Sequence, residues 1–255
     1  MTARSRTSLR ERTGREQLTQ IAYLDTTSPA ANLLAARHGT TEDQRFADQH
    51  RHPTGQRQRL MVRVLLRALL ARHYPVPAEP WKILRADDGA PYLEMGRPGL
   101  PAPFISLSHS GDLVACAIGS AAVGIDVERI RPDRPVTALA GTAFGPLETA
   151  AVEAAGSDGF YRIWTLREAL AKATGAGFGM LMNRTDLVPP TPDAPAPHQD
   201  VQGRAWNFAY WRLPEGYGLG LVRLASPAGD AIVSPLGLHD LTEESESTNF
   251  PPSEN

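Results

Sequence analysis

Gly124-Ile125-Asp126-Val127-Glu128 alternates apolar and acidic residues. On a β-strand, residues two apart point to the same side. The pattern predicts a strand over 123–128 that buries Ile125 and Val127 and presents the Asp126 and Glu128 carboxylates side by side. Two like charges so close repel unless a cation neutralises them. Paired carboxylates suit Mg²⁺, which takes one or two of them and completes its shell with water and phosphate oxygens. A strand end whose two acids simply face solvent gives the same local pattern, and both readings stay open at this point.

Working outward from that stretch, the next marker is Tyr161-Arg162-Ile163-Trp164-Thr165-Leu166-Arg167-Glu168-Ala169-Leu170-Ala171-Lys172. A helix over 160–174 has Ser157 or Asp158 as a start cap and Gly175 at the C′ position. Trp164, Glu168 and Lys172 stand four apart and share one face. Glu followed by Lys at that spacing is also an ordinary surface pair. However, 24 of the 26 basic residues are Arg, and only Lys82 and Lys172 are Lys. A Lys in a chain that otherwise uses Arg points to a need for a compact ammonium, as against a phosphate oxygen. On the other side of 124–128, Phe104–Leu107 is expected as a strand. Ser108-His109-Ser110-Gly111-Asp112 is expected as the turn after it, rich in donors for a phosphate oxygen. No G-x-S-x-G elbow exists, which argues against a serine hydrolase.

The rest of the chain frames these blocks. Helices are expected at 28–37, 41–50, 56–73, 135–140 and 146–155. Thr40 or Thr41 caps the second, and Pro75 and Pro77 follow the third. Arg59, Arg63 and Arg67 line one flank of the 56–73 helix, either as a solvated face or as a docking surface for an acidic partner. Further strands are expected at 81–84, 113–118, 205–213 and 217–225, the last two joined by a Pro214-Glu215-Gly216 hairpin loop. Five prolines between 189 and 197 mark an exposed loop. Residues 1–17 and 239–255 read as tails, one Arg-rich and one acidic. The order of helices and strands gives an α+β fold of two parts, 18–122 and 123–238.

Bulk properties narrow the function. The 255 residues carry a formal net charge of −2 and a single cysteine, Cys116. Nothing in the charge points to nucleic acid. A disulfide framework is impossible, which fits a cytoplasmic protein. No run of about 18 apolar residues signals a membrane span. A monomer is expected.

Taken together, four blocks resemble the surfactin-type 4′-phosphopantetheinyl transferases: Gly89-Ala90-Pro91, Phe104 to Ser110, Gly124 to Glu128, and Trp164 to Gly175. Their order and separation carry the likeness, which extends over about 25–235. The resemblance implies a pseudo-dimer of two similar α/β parts with coenzyme A in the cleft between them. It implies transfer of the 4′-phosphopantetheine arm to a serine of an apo acyl or peptidyl carrier protein. Asp126, Glu128 and Glu168 would hold Mg²⁺ on the coenzyme diphosphate, and Lys172 would contact that diphosphate. Ser108 and His109 would meet phosphate near the adenosine end. Glu128 or a metal-bound water would take the serine proton, and Glu128, Glu168 and Lys172 form the catalytic set. Glu148 falls near a further family acid. Two positions depart: Ala90 and Arg167 stand where the family usually has Lys. A phosphate contact is then lost or supplied by Arg51, Arg57 or Arg59. The alternatives are a coenzyme- or carrier-binding homologue without turnover and a Mg²⁺-dependent phosphodiesterase.

Overall fold

The computed structural model describes residues 19–74, 81–95, 102–177, 179, 186–188, 199–201, 203–213 and 216–225. The expected tails, the proline run, Pro75, Pro77, Pro214 and Glu215 lie outside these. The elements run β1 (Gln20–Asp25), α1 (Pro29–His38), α2 (Thr41–Asp48), α3 (Pro53–His73), β2 (Trp81–Arg85), β3 (Pro91–Met95), β4 (Phe104–Ser110), β5 (Leu113–Gly119), β6 (Val123–Arg129), α4 (Val136–Ala143), α5 (Pro146–Thr174), β7 (Gln199–Val201), β8 (Arg204–Leu213) and β9 (Tyr217–Leu224). The α+β expectation holds. Three antiparallel sheets form, in the orders β1-β5-β4, β2-β3 and β6-β9-β8-β7.

Strand β5 explains how the two larger sheets meet. All seven of its residues are buried. Val114, Cys116 and Ile118 face a core built with α1, α3 and β2. Leu113, Ala115 and Ala117 face the opposite way, into a core shared with Ile125 and Val127 of β6 and Leu219 and Leu221 of β9. A strand buried on both faces reads as a continuous apolar run, as 113–118 does. A third core gathers α4, α5 and the outer face of β8 and β9 around Phe160 and Trp206.

Several boundaries differ from the sequence expectations. Ser108, His109 and Ser110 belong to β4, and the turn is confined to Gly111 and Asp112, with Gly111 at φ +57°. The strand continues because its serines find partners on β6, described below. The two helices expected at 146–155 and 160–174 form one segment with a kink at Gly156, where φ is +62°. Strands β1 and β3 are not marked by any pattern strong enough to predict them.

The arginines of α3 are a correction of another kind. Arg63 and Arg67 are buried rather than solvated. Both grip Asp43, which has no exposed surface, with Nε distances of 2.5 Å and 2.6 Å. Thr40, the α2 cap, accepts from the Asp43 amide at 3.1 Å and donates to its carboxylate at 2.8 Å. Burial alone would raise the Asp43 pKa, but the hydrogen bonds from Arg67, Arg63 and Thr40 outweigh it and hold the carboxyl below its usual value. This cluster therefore ties α2 to α3 and is unavailable for docking. Asp43→Asn leaves two buried guanidiniums short of a charge and is expected to cost about 3–5 kcal/mol, read as a lower thermal midpoint. A depressed pKa contributes stability above the ordinary carboxylate pKa of about 4, and this is lost as pH falls further. The gap between wild type and variant should accordingly shrink below about pH 4.

Candidate active site

The first junction of the site lies between β4 and β6. Ser106, Ser108 and Ser110 alternate along β4 and aim their hydroxyls at β6. Their Oγ atoms accept the backbone N–H groups of Ile125 at 3.0 Å, Val127 at 3.2 Å and Arg129 at 3.1 Å. Residue numbers rise together on both strands, so they run parallel. Ordinary backbone pairing is replaced by a ladder of side-chain hydroxyls. Two rungs also donate to the acids: Ser108 to Asp126 Oδ1 at 2.7 Å, and Ser110 to Glu128 Oε2 at 2.8 Å.

The second junction lies between α5 and β6. A Cβ on Gly124 would come within 1.8 Å of the Ala169 carbonyl oxygen, and one on Gly220 within 3.0 Å of Thr165 backbone. The helix backbone thus rests directly on β6 and β9, which only glycine permits at such close range. The face carrying Trp164, Glu168 and Lys172 turns to the acids. Lys172 Nζ donates to Asp126 Oδ1 at 2.7 Å, to the Ile125 carbonyl at 3.2 Å and to Ser108 Oγ at 3.1 Å. The Trp164 indole lies near enough to Glu128 to favour its charged form. Its ring stacks on Phe160 with centroids 5.8 Å apart. Glu168 stands between these two anchors.

Electrostatics report the convergence. Burial first, then the Asp126 charge, raise the Glu168 pKa to about 7, with Glu128 adding to the rise and Lys172 opposing it. Burial and Asp126 likewise raise the Glu128 pKa, against the hydrogen bond from Ser110 and the nearby Trp164 indole. The three acids therefore feel one another. Among the described residues no three His, Cys, Asp or Glu are gathered closely enough to hold an ion as they stand. Even so, their chemistry fits Mg²⁺. The donors are hard oxygens, two of them are held in mutual repulsion, and Asp126 Oδ2 is buried with no hydrogen-bond partner.

A cavity of about 850 Å³ opens beside this face. Glu168 and Lys172 line it from α5, His109 from β4, and Arg59, Arg85 and Phe46 from the far side. Burial and the Lys172 and Arg59 charges lower the pKa of His109 at the wall. Ser108 lies behind the wall, its hydroxyl committed to Asp126, Val127 and Lys172. Of the three candidate arginines, only Arg59 lines the cavity. Arg57 instead donates its Nε to the Thr26 carbonyl at 2.7 Å, and Arg51 is exposed elsewhere. Arg85, a cavity residue not singled out from sequence, lies 5.4 Å over the Phe46 ring; a basic residue on a short strand gave no signal. Ala90 also lines the cavity. Glu148 is not part of the acid group. It is buried in the first turn of α5, where Arg167 Nη1 meets it at 2.6 Å and the amides of Gly145, Leu187 and Val188 donate to it. Arg167 is thus a structural partner, turned away from the cavity.

Residues 122–222 match the 4′-phosphopantetheinyl transferase superfamily. The resemblance to the surfactin-type enzymes is supported. The 4′-phosphopantetheinyl transferase Sfp of Bacillus subtilis is 28% identical over 133 residues, covering 51% of this chain and 57% of that protein. A 4′-phosphopantetheinyl transferase of Bacillus pumilus is 30% identical over 138 residues, 53% of this chain and 58% of its own. The transferase HetI of Nostoc is 30% identical over 155 residues, 58% and 64% respectively. The chain therefore spans a little over half the length of the first of these relatives. No described helix is long and apolar enough to cross a membrane.

The helix-on-strand contact makes a sharp prediction. Gly124→Ala forces α5 off β6 and should lower stability by about 1–3 kcal/mol or more. Gly141, in α4, is the control, because a Cβ there would meet nothing within 4 Å. Gly141→Ala should raise stability by about 0.5–1 kcal/mol. Chemical denaturation of both variants checks the contrast.

Proposed function

We propose that this chain transfers the 4′-phosphopantetheine group of coenzyme A to a serine of an apo acyl or peptidyl carrier protein and releases 3′,5′-ADP. The observation that carries this reading is the anchoring of one α5 face to the acid-bearing strand β6, with Lys172 Nζ 2.7 Å from Asp126 Oδ1. On the same face Glu168 feels the charges of both carboxylates and lines a cavity large enough for a nucleotide coenzyme. The parts 18–122 and 123–238 would act as a pseudo-dimer with coenzyme A in the cleft between them. The single cysteine, Cys116, leaves no disulfide to form within the chain, which fits a cytoplasmic protein.

Asp126, Glu128 and Glu168 would hold the Mg²⁺. The ion, when bound, neutralises charge on the pyrophosphate oxygens. Lys172 supplies a fixed ammonium for the same charge as it grows. His109, Arg59 and Arg85 bind the phosphates toward the nucleoside end, and Arg59 or Arg85 takes the part of the Lys that Ala90 replaces. In the reaction a bond forms between the serine Oγ and the β-phosphorus. The bond from that phosphorus to the bridging oxygen breaks, and its electron pair leaves with 3′,5′-ADP. Glu128 is this chain's candidate acceptor for the serine proton.

With coenzyme A and Mg²⁺, an apo carrier protein should gain one phosphopantetheine arm, read by intact mass. Asp126→Asn should lower the rate by roughly 10²–10³-fold while the variant remains folded. A second reading, binding without turnover, is favoured by Ala90 in the cavity wall. Tight coenzyme binding with no mass gain on any carrier would establish it.

A further inference from the structure

Three guanidiniums gather on one aromatic ring. Arg59, Arg63 and Arg85 place their Cζ atoms 5.5 Å, 4.6 Å and 5.4 Å from the centroid of Phe46. All four side chains line the large cavity. Attraction between a cation and an aromatic face reaches about 6 Å. The ring comes from α2, two of the arginines from α3 and the third from β2. Like charges gathered in this way repel. Burial, then the charges of Arg59 and Arg63, lower the Arg85 pKa.

The three are not equivalent. Arg63 is buried and spends its charge on Asp43 at 2.5 Å. Arg59 is half-buried and Arg85 is exposed. Among the described residues no carboxylate lies within ion-pairing distance of either. Asp88 lines the same cavity, but its Oδ1 accepts the Ala90 amide at 2.9 Å. Arg85 Nη1 donates to the Gly89 carbonyl at 3.0 Å, which leaves its charge unopposed. Asp43 and Phe46 stand three apart on α2 and share a face. That face offers a carboxylate to the buried arginines and a ring to those at the cavity. The two partners differ in what they leave over. A carboxylate cancels an arginine's charge and occupies its N–H donors. An aromatic face attracts the cation through its quadrupole and carries no net charge.

We propose that Phe46 is a positioning residue for coenzyme binding, whose ring holds Arg59 and Arg85 at the cavity wall while leaving both charges free for a phosphate. This rests on the transferase reading above. Coenzyme A carries two anionic groups, a diphosphate and a 3′-phosphomonoester. Lys172, on the α5 wall beside the acids, serves the first. Arg59 and Arg85 are left for the second, a dianion that matches two unspent cations. Phe46 meets no reacting atom and acts only through the two arginines.

The test is calorimetric titration with coenzyme A and with 3′-dephospho-coenzyme A, both in Mg²⁺. It compares wild type, Phe46→Leu, Phe46→Met and Phe46→Tyr, each checked for folding by thermal unfolding. Leu and Met keep an apolar side chain and lose the ring, whereas Tyr keeps the ring. Coenzyme A affinity should fall by about three- to thirtyfold in Phe46→Leu and Phe46→Met. Affinity for the dephospho form should stay level, and Phe46→Tyr should bind both ligands as wild type does. When Arg59→Ala and Arg85→Ala are already present, adding Phe46→Leu should cost nothing further. Unchanged coenzyme A affinity in the ring-free variants overturns the proposal alone. So does an equal loss for both ligands, or a full further loss without the two arginines, since either marks the ring as merely structural. Failure of wild type to bind coenzyme A overturns the transferase reading and the proposal together.

Discussion

Three serine hydroxyls hold this site in register. Ser106, Ser108 and Ser110 accept consecutive outward amides of β6, so the first sheet and the acid-bearing strand are joined without a backbone ladder. Each hydroxyl has a proton left to donate. In two of the three rungs that proton goes to a carboxylate, Asp126 or Glu128. One set of bonds therefore docks the strand and orients its acids. A slip of one residue would face the apolar side of β4 to β6 and lose both effects at once.

The helix completes what the ladder begins. Gly124 and Gly220 remove the side chains that would keep α5 at ordinary distance. At that distance a lysine reaches Asp126, the Ile125 carbonyl and Ser108 together. Three donors on one small nitrogen match three acceptors converging on a point, which a planar guanidinium does not do. The rarity of Lys in the sequence has its physical reason here. The other lysine, Lys82, makes an exposed pair with Glu94 at 3.7 Å.

What was legible in the sequence was local. The period of two at 124–128 and the period of four at 164–172 placed five side chains correctly on their faces, because each depends only on neighbours along the chain. The serine ladder was hidden, since a hydroxyl-rich stretch after a strand reads as a turn until a strand 19 residues on supplies its partners. The arginine flank of α3 misled for the same reason: Asp43 lies 20 and 24 residues before the arginines it neutralises. Arg85 carries no sequence period at all and emerges only from packing.

The central claim is that Asp126, Glu128 and Glu168 serve one divalent ion beside a bound coenzyme. A crystal grown with coenzyme A and Mn²⁺ in place of Mg²⁺ tests it directly through anomalous scattering. The account predicts a single strong peak within coordination distance of all three carboxylates and of the coenzyme pyrophosphate. Coenzyme bound in the cavity with the metal peak elsewhere, or with Glu168 turned from it, would contradict the account.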